Sequence, residues 1–210
     1  MKELTILDYG SGNLRSLQKS LEFLGCKAVI TDDPEKIKKA KALVLPGQGA
    51  FEGAIKNLES RGLINHIKDY IAQEKPFLGI CLGFQLLFEE SHENGIYKGL
   101  GVFPGMVKVF DFKNSTENKG LKIPHMGWNN LDIVQDMGGV HDGLGEDPYV
   151  YFVHSYYVET DCKEIISTKT SYGIEFVSSI QAKNLYATQF HPEKSGKVGM
   201  GLLKNFISNI

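Results

Sequence analysis

Phe77-Leu78-Gly79-Ile80-Cys81-Leu82-Gly83 sits at the centre of the chain's grammar. Four residues of buried-strand character, introduced by Pro76, run into a cysteine with a glycine two positions to either side. An apolar helical pattern (Leu82, Gln85, Leu86, Phe88, Glu89) follows. Strand, sharp turn and helix make a nucleophile elbow with sulfur in place of a hydroxyl. The glycines let the backbone turn tightly, and the thiol projects from the bend.

The same alternation extends to both sides. Towards the N-terminus, Leu4 to Tyr9 reads as a buried strand ending at Gly10-Ser11-Gly12, and Leu14, Leu17, Leu21 and Leu24 recur at helical spacing before Gly25. Lys27 to Ile30 reads as the next strand, Asp33-Pro34-Glu35 as a helix start, and Ala42 to Leu45 as a strand broken by Pro46-Gly47-Gln48-Gly49. Helical segments follow at Phe51 to Glu59 and Leu63 to Gln73. After about Ser91 the texture becomes strand-like, at Met106 to Phe110, Asn130 to Val134, Tyr149 to Val158, Glu175 to Ile180 and Leu185 to Phe190. Polar loops such as Asp111 to Gly120 and Asp136 to Asp147 separate these segments, and a last helix is expected over Lys197 to Ser208. Strands alternating with helices imply an α/β fold: a mixed, mostly parallel central sheet with helices on both faces, extended by antiparallel strands. No linker interrupts the pattern, so residues 1–210 are expected to form a single domain. In such sheets the working site lies outside the carboxyl ends of the strands, which directs attention to the turns at Gly10, Pro46, Cys81 and His191.

Composition excludes several function classes. With 23 Lys+Arg against 25 Asp+Glu and a net charge of −2 over 210 residues, no excess of positive charge is available to neutralise phosphates. Nucleic acid and anionic membranes are therefore not expected partners. The longest apolar runs fall far short of the roughly 20 residues of a spanning helix, and Met1-Lys2-Glu3-Leu4 does not open a signal peptide, so a cytoplasmic protein is expected. The three cysteines, Cys26, Cys81 and Cys162, suit neither a disulfide framework nor a metal site.

A free cysteine is most often a small core residue, the reading that suits Cys26 and Cys162. Cys81 differs because a packing role needs neither flanking glycine. It also precedes a helix, whose unpaired N–H groups support negative charge on the sulfur. Such a nucleophile wants an imidazole, and the imidazole an orienting carboxylate. His191-Pro192-Glu193 offers both: in an extended chain residues i and i+2 share a face, so Glu193 can reach His191. His66 and His92 read as solvated residues on helical segments, and His125, His141 and His154 as structural. Backbone N–H groups of Gln48, Gly49 and Leu82 are candidate oxyanion donors, against the plainer reading of an ordinary strand-exit turn. Gly10-Ser11-Gly12 holds two glycines of a dinucleotide fingerprint, but Arg15 stands at the third position, and no cofactor and no metal are expected.

Together the Gly79 to Gly83 elbow, His191-Pro192-Glu193 and the Pro46 to Gly49 turn resemble the class I, triad-type glutamine amidotransferases. The resemblance spans essentially the whole chain. It implies a flavodoxin-like fold and hydrolysis of L-glutamine for its ammonia, with Cys81 as nucleophile, His191 as acid/base and Glu193 as its orienter. Gln85, Gly49, Ser155 and Tyr156 would hold the glutamine. Asp8 to Leu14, Pro124 to Asn129, Tyr151 to Tyr156 and His191 to Ser195 resemble, more narrowly, glutaminase subunits that serve histidine biosynthesis. Their implied partner is a (β/α)8-barrel cyclase acting on a phosphorylated ribulosyl aminoimidazole, met here by Asn13, Trp128, Tyr151 and Lys194. Gln48 stands where the family more often has a small apolar residue; a strand that works through its backbone is expected to tolerate this. Three rivals stand beside this reading: a paralogous glutaminase feeding another synthase, such as one that amidinates a surface sugar; a cysteine hydrolase or peptidase; and a non-catalytic subunit.

Overall fold

The structure, a computed structural model, describes residues 1–112, 118 and 120–210, so most of the polar segment Asp111 to Gly120 lies outside the described residues. The first half alternates as expected: β1 (Glu3–Leu7), α1 (Leu14–Phe23), β2 (Lys27–Thr31), α2 (Pro34–Lys39), β3 (Leu43–Leu45), α3 (Phe51–Ser60), α4 (Leu63–Ala72), β4 (Phe77–Ile80) and α5 (Leu82–Gln85). Strands then dominate: β5 (Phe88–Ser91), β6 (Tyr97–Lys98), β7 (Phe103–Val109), β8 (His125–Asn130), β9 (Asp132–Ile133), β10 (Tyr149–His154), β11 (Tyr156–Glu159), β12 (Ile166–Tyr172), β13 (Ile174–Ala182) and β14 (Leu185–Thr188). Helix α6 (Gly196–Ser208) closes the series.

Twelve of these strands form one sheet in the order β2-β1-β3-β4-β14-β13-β11-β7-β5-β6, with β12 and β9 branching from β13. From β2 to β14 all neighbours run parallel, and β13 begins the antiparallel extension. Alternating side chains of the parallel strands feed two cores. Leu43, Leu45 and Phe77 join Ile37, Leu58, Leu63 and Ile67 on the face covered by α2, α3 and α4. Leu4, Ile6, Val44, Leu78 and Ile80 join Leu17, Leu21, Leu202 and Phe206 on the face covered by α1 and α6. No helix among the described residues is long and apolar enough to cross a membrane.

Three readings of the sequence are corrected and one strand is added to them. The apolar helix expected through Glu89 stops at Gln85. The carbonyls of Leu86, Leu87 and Phe88 are taken instead by the N–H groups of Leu100, Val102 and Gly101, so the chain turns from helix to sheet. Tyr149 to Val158 is two strands: β10 pairs β8 in a separate two-stranded sheet, and beyond Ser155 β11 pairs β7 in the main one. Strand β12 escapes a hydropathy reading because Ser167, Thr168 and Thr170 are polar yet buried; the Thr168 hydroxyl is paired with those of Ser178 and Ser179. His92, expected on a helix, follows β5 in a turn, its ring 2.9 Å from Glu90.

The elbow depends on one close approach. A β-carbon on Gly83 would lie 1.9 Å from the carbonyl oxygen of Leu45, so only glycine lets α5 rest on the end of β3. Gly83→Ala is expected to destabilise the protein by roughly 3 kcal/mol, lowering Tm by roughly 6–12 °C in a thermal melt, because backbone must give way rather than a flexible side chain.

Candidate active site

Three turns at the carboxyl edges of neighbouring strands meet in a cleft of about 470 Å³. Strand β4 delivers Cys81, β3 on one side delivers Gln48 and Gly49, and β14 on the other delivers His191. Cys81 has φ 55° and ψ −109°, a positive φ for a side-chain-bearing residue, and its backbone N–H is anchored 2.7 Å from the carbonyl of Thr188 on β14. Strain of this kind costs about 1–3 kcal/mol and persists where surrounding packing enforces it, as at a nucleophile elbow.

His191 is buried, and its Nδ1 lies 2.8 Å from Oε1 of Glu193. The extended chain expected from His191 to Glu193 is replaced by a 3-10 turn over Pro192–Lys194, which curls the carboxylate back onto the ring. Only His191 itself is extended, as Pro192 requires. The hydroxyl of Ser195 donates to the His191 carbonyl at 2.6 Å and accepts from the Tyr151 N–H, fastening this turn to β10. Nε2 of His191 is buried without a well-aligned hydrogen-bond partner and faces the Cys81 thiol. Burial alone would lower the pKa of His191; interaction with Cys81 and Glu193, through hydrogen bonding and charge, outweighs it and raises the value to about 9. With Nδ1 engaged by a carboxylate, the proton on Nε2 is the mobile one.

The turn expected to supply oxyanion donors is held from outside the cleft. The hydroxyl of Ser11 donates to the carbonyl of Gln48 and lies 3.4 Å from its N–H, so this N–H faces Ser11. Gly49 follows with φ +97°, and nothing lies within 4 Å of where a β-carbon would sit; this peptide can turn without steric obstruction. Leu82 contributes the first N–H of α5 beside the sulfur.

All four residues expected to hold an amino acid line the cleft: Gly49, Gln85, Ser155 and Tyr156. The Nε2 group of Gln85 lies 3.2 Å from the Tyr156 carbonyl and 2.9 Å from Oε1 of Gln189, which commits both of its hydrogens and leaves Oε1 as an acceptor. Glu93, which the sequence reading did not single out, also lines the cleft, with Oε2 accepting from the N–H of Phe51 at the start of α3. No local pattern marks it, because it reaches the site from a loop beyond β5. His154 lines the wall and is kept neutral: burial lowers its pKa to about 3. His125 meets it edge to face, with its Nδ1 3.0 Å from Nε2 of His154, and burial lowers its pKa to about 4. Cys26 is buried in the core under α1 and α6, and Cys162 is partly buried against the other core. Among the described residues no cluster of His, Cys, Asp or Glu is arranged to hold a metal ion.

Beside the cleft, the β8–β10 sheet turns His125, Phe152 and His154 inward and leaves Met126, Trp128 and Tyr149 outward, 62%, 55% and 47% exposed. Trp128 and Tyr151 meet edge to face at 6.2 Å. Lys194 borders the cleft, whereas Asn13 caps α1 by accepting from the N–H of Ser16.

A strained cysteine, a histidine–carboxylate pair and a glycine-rich turn on a parallel sheet have the geometry expected of a cysteine-dependent acyl-transfer site. The family model for class-I glutamine amidotransferases matches residues 5–210, and the chain belongs to that family. Among its relatives, the imidazole glycerol phosphate synthase subunit HisH of Geobacter metallireducens is 46% identical, covering 98% of each chain. HisH of Caldanaerobacter subterraneus subsp. tengcongensis is 49% identical over 96% of this chain and 95% of its own. In fold, the chain is similar to a crystal structure of a glutamine amidotransferase, with a TM-score of 0.73 at 18% identity and 99% coverage of both chains.

Proposed function

We propose that this chain is the glutaminase subunit of an imidazole glycerol phosphate synthase, one domain hydrolysing L-glutamine and passing the ammonia to a synthase partner in histidine biosynthesis. The observation that carries the chemistry is His191, held at Nδ1 by Glu193 with Nε2 turned to Cys81. Identity of 46–49% with HisH subunits over nearly the full length supports the pathway.

In this reading the Cys81 thiolate attacks the side-chain amide carbon of glutamine. Backbone N–H groups of Leu82 and of the turn at Gln48 and Gly49 stabilise the oxyanion. His191 gives its Nε2 proton to the departing ammonia, then takes a proton from the water that hydrolyses the γ-glutamyl thioester. Gln85 Oε1 and the carboxylate of Glu93 are the acceptors suited to the ammonium of the substrate, and Ser155 and Tyr156 border the same end of the cleft. Released into neutral water, ammonia would become ammonium and lose its nucleophilicity, so a partner must cover the mouth. The exposed Met126, Trp128 and Tyr149, with Tyr151 and Lys194 beside them and Asn13 at the start of α1, form the proposed docking rim, since exposed apolar patches of this kind mark protein interfaces. A (β/α)8-barrel cyclase in the cytoplasm is the partner proposed.

The test is glutamate release by the chain alone, with the cyclase, and with the cyclase plus its acceptor. The Gln48 N–H faces Ser11, so the free chain is expected to be nearly inactive and turnover to rise when partner and acceptor reorient the Gly47–Gln48 peptide. No response to the cyclase and its acceptor would favour a paralogous synthase, and equal turnover in all three conditions would refute control through the oxyanion turn.

A further inference from the structure

The mechanism above leaves one buried polar side chain beside the sulfur without a role. Gln189 is fully buried, and its Nε2 lies 3.7 Å from Sγ of Cys81, within reach for a hydrogen bond to sulfur. It stands two residues before His191, with the buried Phe190 between them packed in the core under α1 and α6. The orientation of its amide is fixed by a chain of bonds that allows one polarity. The Tyr156 carbonyl can only accept, so the group that Gln85 presents to it must be the NH2. The other hydrogen of that NH2 then points at Gln189, whose facing atom must be the oxygen. The NH2 of Gln189 is left facing Cys81 and donates to the sulfur. The same Tyr156 carbonyl accepts from Nδ1 of neutral His154 at 2.7 Å, which fixes the start of the chain from a second side.

We propose that Gln189 is a positioning residue of the glutaminase reaction: held by Tyr156 and Gln85, its amide N–H fixes the Cys81 sulfur opposite His191 and supports the sulfur whenever it is anionic. The inference rests on the glutaminase reading for its consequence in turnover, but the contact itself concerns only the sulfur. A donor to a thiolate acts twice in the cycle. It favours the reactive form before attack, and it stabilises the leaving thiolate when water opens the thioester. Gln85 then carries two duties, an acceptor turned to the cleft and an oriented donor pair behind it, so substrate contact and nucleophile geometry are joined through one side chain. The titratable groups around the sulfur are His191 with Glu193 behind it on the β14 side, and Tyr9 beyond β1, whose hydroxyl is committed to the Pro46 carbonyl. Glu93 and Lys194 border the same cleft. None of these takes the place of the Gln189 amide in the geometry.

The experiment is the pH dependence of Cys81 carbamidomethylation by iodoacetamide, read by peptide mass spectrometry in the full chain, with Cys26 and Cys162 as internal references. Gln189→Met keeps the length and removes the donor; Gln189→Glu keeps the shape and places a carboxyl against the sulfur. Each variant is melted first to establish that it folds. In Gln189→Met the rate at pH 7 is expected to fall about tenfold, the value of one lost hydrogen bond to a charged group, with the half-reaction pH moved upward. Gln189→Glu should move it further. In the assembled complex, kcat for glutamate release should fall with KM within twofold. An unchanged alkylation profile in either folded variant overturns the proposal, and the other variant decides should one fail to fold. A shifted profile in a chain whose parent releases no glutamate with the cyclase would uphold the contact while sinking the assignment to imidazole glycerol phosphate synthase, so the two failures are distinguishable.

Discussion

Cys81→Ala is expected to reduce glutamate release by the assembled, acceptor-loaded complex by about 10⁴-fold or more, the scale on which removing a nucleophile acts when the rest of a triad cannot substitute for it. Cys81 occupies the elbow at φ 55°, between the oxyanion turn and His191, and neither Cys26 nor Cys162 lies on the cleft. The substitution deletes one sulfur and leaves the docking rim untouched, so affinity for the synthase partner should stay within a factor of a few. Synthase turnover supplied with ammonium salts in place of glutamine should persist. Two measurements on one sample check this: glutamate release, and product formation from added ammonium. Full glutaminase activity in Cys81→Ala would hand the site to the non-catalytic reading. Loss of both activities would point instead to damage to the assembly.

The second large effect belongs to the His191–Glu193 pair. The ring is raised to about 9 by its interactions with Cys81 and Glu193 in spite of burial, so the folded protein holds a proton on His191 that the unfolded chain releases near 6.5. The contribution to stability is complete below pH 6.5 and is lost as pH climbs from there through about 9. Cys81→Ala removes one of the two interactions, so the titration of the His191 ring, followed by nitrogen-15 NMR, should move down and the pH window of stabilisation should narrow with it. Glu193→Gln removes the other. Nδ1 can still donate to an amide oxygen, but the charge that supports an imidazolium is gone. Because proton transfer by an oriented base is worth about 10²–10⁴ in rate, kcat is expected to fall by at least about 10²-fold with little change in KM. An unaltered His191 titration in both variants would mean that burial, which acts in the opposite direction, governs the ring.

Both predictions concern residues that were legible in the sequence, and the reason is local. The elbow needs glycines two positions away on each side of Cys81, and Glu193 reaches His191 across a single proline; both signatures fit within a handful of residues. Even so, the reach of Glu193 was expected from an extended strand and is achieved by a 3-10 turn, which the tripeptide alone could not distinguish. Gln189 and Glu93 were not legible. Gln189 matters because β14 lies beside β4, and nothing near residue 189 announces that neighbour. Glu93 matters because a loop beyond β5 returns to the start of α3. The helix read through Glu89 fails for a related cause: its carbonyls found partners in residues 100–102, a pairing with no trace in local periodicity.

By itself, then, the sequence determined the alternation that makes a parallel sheet, the cysteine at its elbow and the histidine–carboxylate tripeptide, because hydrophobic period, turn chemistry and i to i+2 reach act over a few residues. The tertiary structure decided the rest: the placing of β14 beside β4, the fastening of Gln48 by Ser11, the chain from Tyr156 through Gln85 and Gln189 to the sulfur, and the exposed aromatic face of β8–β10. Each of these joins segments far apart in the chain, and such pairings follow from how whole strands and helices bury their faces together, a choice made by the chain as a whole.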